Sequence, residues 1–147
     1  MKMEYLDHYK QWIERIECRY PQKMWVAYLL PGSTLQSRSF EKLAGWIEDH
    51  CVNEVIELAA EAMKFKVERL QSKIRGYDVT DSRQAVCIVV KEKFPGVNNY
   101  MLARKLGWAN HSMVTHALKQ KDVLEIKRRV NRIKQMYPFL NDYETAI

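Results

Sequence analysis

Apolar residues recur along most of this chain every three to four positions, the spacing that lines one face of an α-helix. Between residues 4 and 18, Tyr5, Tyr9, Trp12, Ile13 and Ile16 keep that rhythm and predict a first amphipathic helix, which Pro21 ends. A second apolar piece, MWVAYLL at 24–30, stops at Pro31-Gly32, and the small polar stretch GSTLQSRS at 32–39 predicts a loop. Ser39 then stands as the cap of a helical pattern from Phe40 to Gln71, with a break expected near residues 49–53.

The letters GYDVTDS at 76–82 predict a second loop, with Asp81 or Ser82 capping a helix from Arg83 to about Phe94 on a stripe of Val86, Cys87, Val89 and Val90. Pro95-Gly96 closes it. Asn98 or Asn99 caps a short helix that ends at Gly107, with Met101, Leu102 and Leu106 inward. Asn110 caps another, reaching about Gln120. The last helix covers 123–136, with Leu124, Ile126, Val130 and Ile133 inward and a basic outer face. No segment alternates cleanly with the period of two that marks a half-buried strand, so the expected fold is all-α, a helical bundle.

Charge changes this picture by its placement. The net charge is +6, yet residues 62–135 alone carry 17 Lys and Arg against 6 Asp and Glu, while both flanks are mildly acidic. A basic segment between acidic flanks is the electrostatic footprint of a surface that meets a polyanion. A hydrophobic content of 47% suits one buried core, and no apolar run approaches the roughly 18 residues of a membrane span. The N-terminal letters are charged throughout and lack the apolar stretch of a signal peptide. Cys18, Cys51 and Cys87 are odd in number and far apart, which reads as reduced thiols rather than disulfides or a zinc site. A cytoplasmic, nucleoid-associated protein is the expectation.

Two short helices joined by a glycine-containing turn match the helix-turn-helix pattern, in which the second helix enters the major groove with its N-terminal residues on base edges. Here that end reads Asn110-His111-Ser112-Met113. Asparagine can pair with adenine, serine and histidine can donate or accept, and Met113 or Thr115 can touch a thymine methyl.

The stretch GWANHSMVTHAL at 107–118 resembles the signature of the C-terminal DNA-binding domain of the bacterial replication initiator DnaA, a Trp-repressor-like helix-turn-helix whose pattern runs GGRDHTTVIHAV. MKFKVERLQSKIR at 63–75 is similar to that family's basic loop, and Arg83-Gln84 falls where the family opens its next helix with Arg-Gln. The likeness covers about residues 53–135. With the periodicity of the N-terminal residues, three parts are expected: a helical N-terminal segment at 1–50 of unknown role that offers a surface for a protein partner, a DnaA-like DNA-binding domain at 51–137, and a tail at 138–147. The likeness implies that Arg75 enters the minor groove, that Asn110, His111, Ser112 and Met113 meet bases, and that Lys73, Arg83, Gln84, Lys91, Thr115 and Lys119 meet phosphates of double-stranded DNA. Asn110 replaces the family's Asp, Ala109 its Arg and Met113 its second Thr, so the preferred sequence is expected to differ.

DnaA carries an ATP-binding module ahead of this domain, but no GxxxxGK[ST] occurs here, so neither nucleotide binding nor any cofactor is expected. His111 and His116 lie about 140° apart on a helix and make a poor metal pair, and His116 is expected to pack within the domain. The carboxylates and His50-Cys51 form no nucleophile–base pattern, so no enzymatic activity is expected. The competing reading is a helical interaction protein whose basic face takes a protein or RNA partner.

Overall fold

The computed structural model describes residues 6–72 and 76–140. The chain falls into two compact units, Met1–Val52 and Asn53–Ile147.

The first unit corrects the all-α expectation. After a 3₁₀ turn at Asp7–Trp12, three strands follow, β1 (Ile13–Arg19), β2 (Met24–Leu29) and β3 (Ser33–Ser37), in an antiparallel meander of order β1-β2-β3. The fold is therefore a mixture of helix and sheet. Of the helix expected at 4–18, residues 7–12 form the 3₁₀ turn and residues 13–18 lie in a strand, while Tyr5 lies outside the described residues; most of the apolar run 24–30 is the central strand, and most of the expected loop 32–39 is an edge strand.

The register explains the disposition of side chains. Trp25, Ala27 and Leu29 share one face of β2 with their cross-strand partners Ser37, Leu35 and Ser33 on β3. Trp25 meets Phe40, the first residue of helix α1 (Phe40–Ala62), with ring centroids 4.9 Å apart. On the opposite face Arg15 lies over the Tyr28 ring at 3.8 Å, and the Tyr28 hydroxyl donates to Glu17 Oε1 at 2.8 Å. Tyr9 and Trp12 are buried in the 3₁₀ turn, and the Tyr9 hydroxyl reaches Glu48 Oε2 at 2.8 Å. Ser39 Oγ accepts from Lys42 N–H and starts α1, as a serine N-cap should.

Helix α1 ends in the second unit, nine residues short of Gln71. Lys64 takes a left-handed φ of 59°, Phe65 N–H bonds to Ala60 O and Lys64 N–H to Glu61 O, which is a Schellman stop made without glycine. Helix α2 is the short Val67–Gln71. Helix α3 runs Tyr77–Lys93 and so absorbs most of the expected loop 76–82. Every residue from 82 to 90 on α3 is buried, which makes it the central helix, packed against α2 and two later helices.

Helices α4 (Asn99–Lys105), α5 (Ser112–Leu118) and α6 (Leu124–Met136) complete the unit, followed by a 3₁₀ turn at Pro138–Leu140. On α6, Ile126, Val130 and Ile133 are inward as expected, but Leu124 is 63% exposed. Arg129 ties α6 to α3, donating to Ser82 Oγ at 3.0 Å and lying 3.4 Å from Asp78 Oδ1. Cys51 and Cys87 are buried and Cys18 is half-buried, none of the three in a disulfide, and burial pushes the Cys87 thiol up to about 12. Among the described residues no helix is long and apolar enough to cross a membrane.

Candidate nucleic-acid interface

Helices α4 and α5 are fixed at their ends by side chains chosen for backbone reasons. Asn98 Oδ1 accepts from the N–H groups of Tyr100 (2.8 Å) and Met101 (3.1 Å), satisfying two donors that a helix start otherwise leaves free. At the other end of α4, Trp108 N–H bonds to Ala103 O and Gly107 N–H to Arg104 O, the paired bonds of a Schellman motif. That motif needs a left-handed residue at 107, and Gly107 supplies it with φ of 75°. A second constraint acts at the same atom. A Cβ on Gly107 would stand 2.6 Å from Gln71 O and 2.7 Å from Ser72 O, so the turn presses directly on the backbone that follows α2.

Asn110 opens α5, its Oδ1 accepting from Ser112 N–H at 2.9 Å. Val114 and Ala117 are buried and hold α5 against the core. The opposite side carries Ser112, Thr115, His116 and Lys119, all exposed, at positions i, i+3, i+4 and i+7. These four therefore form one continuous polar stripe, preceded by the exposed Ala109, Asn110 and His111. Met113 is half-buried at its margin. His116, expected to pack inside, belongs to this outer stripe instead.

The expected phosphate contacts divide. Thr115 and Lys119 lie on the α5 stripe. Arg83 does not face solvent: it is 5% exposed, its Nε donates to Leu70 O at 2.7 Å and its Nη2 to Ser72 O. Burial draws its pKa below the ordinary guanidinium value. Gln84 is buried beside it. Lys91 is half-buried, and its ammonium holds the loop between α3 and α4 through Val97 O (3.0 Å), Asn99 Oδ1 (3.0 Å) and Pro95 O (3.3 Å). Arg83 and Gln84 are thus buried where an exposed phosphate contact was expected, and Arg83 and Lys91 spend donors on backbone carbonyls. The physical reason is the depth of α3, whose polar side chains satisfy backbone carbonyls before any partner arrives. Lys73 and Arg75 lie outside the described residues.

Other cations do face solvent in this unit: Arg104 on α4, Lys121 after α5, and Lys127, Arg128 and Arg132 on α6. Sequence reasoning also passed over Tyr100. It is 63% exposed, and its ring stacks on His111 with centroids 4.1 Å apart and planes 29° from parallel. The signal was available, since position 100 lies about 200° around the helix from the inward Leu102. Among the described residues no group of three His, Cys, Asp or Glu side chains is placed to hold a metal ion.

No protein-family model matches the chain, and comparisons with curated proteins and with solved structures likewise give no match.

Proposed function

We propose that this chain binds double-stranded DNA with sequence preference, in replication control or transcription, by laying the polar stripe of α5 in the major groove. The observation that carries this reading is the stripe itself. An exposed helix face of asparagine, histidine, serine, threonine and lysine, on a short helix anchored by a buried opposite side, has the hydrogen-bonding variety that base edges demand. Asn110 keeps its amide N–H₂ free of the capping bond, which leaves it a donor for an acceptor such as adenine N7 or guanine O6. His111 and Ser112 sit in the first turn, where side chains reach deepest, and Thr115 and Lys119 follow along the groove. Arg104, Lys121, Lys127, Arg128 and Arg132 supply cations for phosphates. The resemblance of 107–118 to the DnaA pattern supports the same assignment of roles.

Salt provides the test. With about five phosphates neutralised, log K for duplex DNA should fall against log salt with a slope of about −4.5. Fluorescence anisotropy with a labelled duplex, titrated between about 50 and 200 mM salt, measures that slope. A flat response contradicts the reading and turns attention to a protein partner on the same face.

A further inference from the structure

Tyr100 has no place in the roles described so far, yet it is a large aromatic left mostly in water beside the exposed His111 at the entry of α5. It stands in the first turn of α4, where the Asn98 cap fixes its backbone N–H. His111 stands immediately before α5. The two rings therefore join the N-terminal ends of both helices of the pair, on the solvent side, at 4.1 Å and 29°. Core packing does not explain the contact, because both residues are exposed.

A lone imidazole at a helix entry samples several rotamers, and ordering it on a base costs conformational entropy at the moment of binding. A tyrosine ring against one face removes most of those rotamers beforehand. It also covers that face, so that the imidazole offers its edge nitrogens to whatever approaches. Pre-orientation of this kind changes discrimination more than it changes charge-driven affinity, because the stack adds no charge.

We infer that Tyr100 is a positioning residue that sets the orientation of His111 for base recognition, and so helps to determine which duplex sequence is preferred. The inference rests on the duplex-DNA reading above and goes beyond it, since neither the helix-turn-helix pattern nor the family resemblance assigns a role to position 100.

The experiment uses the full chain as wild type, Tyr100→Ala, Tyr100→Phe, His111→Ala and the Tyr100→Ala/His111→Ala pair. In the free proteins, NMR reads the ring protons of His111. In the wild type and Tyr100→Phe they should be displaced by the neighbouring ring current, and in Tyr100→Ala the displacement should vanish. Each protein is then titrated with the duplex enriched by the wild type from a random-core library and with the unselected pool. Tyr100→Ala and His111→Ala should each reduce the preference for the enriched duplex by roughly tenfold, within the range for one base contact. The double variant should lose no more than His111→Ala alone, Tyr100→Phe should stay near wild type, and the salt slope should be unchanged throughout. Losses that multiply in the double variant, an unaltered preference in Tyr100→Ala, or His111 protons without a ring-current shift each overturn the inference while leaving the DNA reading intact. A wild type that enriches no duplex overturns the DNA reading, and the inference falls with it.

Discussion

Replacing Gly107 with alanine should destabilise the Asn53–Ile147 unit by about 4 kcal/mol, from two separate costs. The first is conformational: at φ of 75° an L-residue with a Cβ pays about 1–2 kcal/mol over glycine. The second is steric and larger. The new methyl would stand 2.6 Å from Gln71 O and 2.7 Å from Ser72 O, and both are backbone atoms that cannot swing away as a side chain tip could. Relieving the clash means moving either the α4–α5 turn or the chain after α2, and each is tied to the core. Gly96 is the control. It has open space around the corresponding Cβ direction, so Gly96→Ala should change stability by less than about 1 kcal/mol. Urea unfolding of the three proteins, compared at equal slope, measures both effects.

Arg83→Ala should cost about 3 kcal/mol, and its signature separates two accounts of this arginine. A phosphate-contacting arginine at the surface can be removed with little change in stability, while the salt slope of DNA binding becomes shallower by about one unit. The buried Arg83 should behave in the opposite way. Its removal leaves Leu70 O and Ser72 O without their charged donors inside the protein and opens a cavity under α3. Stability should fall sharply and the salt slope should hold. Arg83→Lys should recover only part of the loss, because one ammonium cannot reproduce the forked geometry that reaches two carbonyls from one planar group. Unfolding midpoints and salt titrations on the same preparations give both readings.

The two kinds of feature differed in how well the letters revealed them. Caps and turns were legible because their chemistry is local: Asn98, Gly107 and Asn110 each do in the structure what their residue type does in a short peptide segment. The sheet was hidden for three physical reasons. A register shift between Ile13 and Arg15 breaks the alternation of β1. The central strand β2 is apolar on both faces and has no period to read. The edge strand β3 is polar and short, as exposed edges commonly are, and so looks like a loop. The start of α3 was hidden differently: GYDVTDS has loop composition, but buried Val79 and Ser82 draw those residues into the helix, with Asp78 favourably placed against its N-terminal dipole. At the site, the polar α5 stripe follows from spacing alone. The inward turn of Arg83 and Lys91 does not, since nothing in a one-dimensional pattern says that α3 is the central helix.

Under the proposed function, with Arg83 and Gln84 buried and Lys91 holding the loop between α3 and α4, base reading would fall to Asn110, His111, Ser112, Thr115 and His116, and phosphate binding to the cations of α4, α6 and the end of α5. Arg83 instead holds the backbone at the end of α2, and Lys91 the loop before α4. Substitutions there should lower the folded fraction, while substitutions on the stripe should alter preference in a folded protein.

Selection of bound duplexes from a library with a random core, using the full chain in low salt, decides whether the α5 stripe reads sequence. One short common sequence should be enriched, with the preference weakened when the α5 stripe is altered by Ser112→Ala or His111→Ala in a protein that still folds. Recovery of the unselected base composition after repeated rounds, at a protein concentration that saturates no duplex, would contradict sequence recognition by α5.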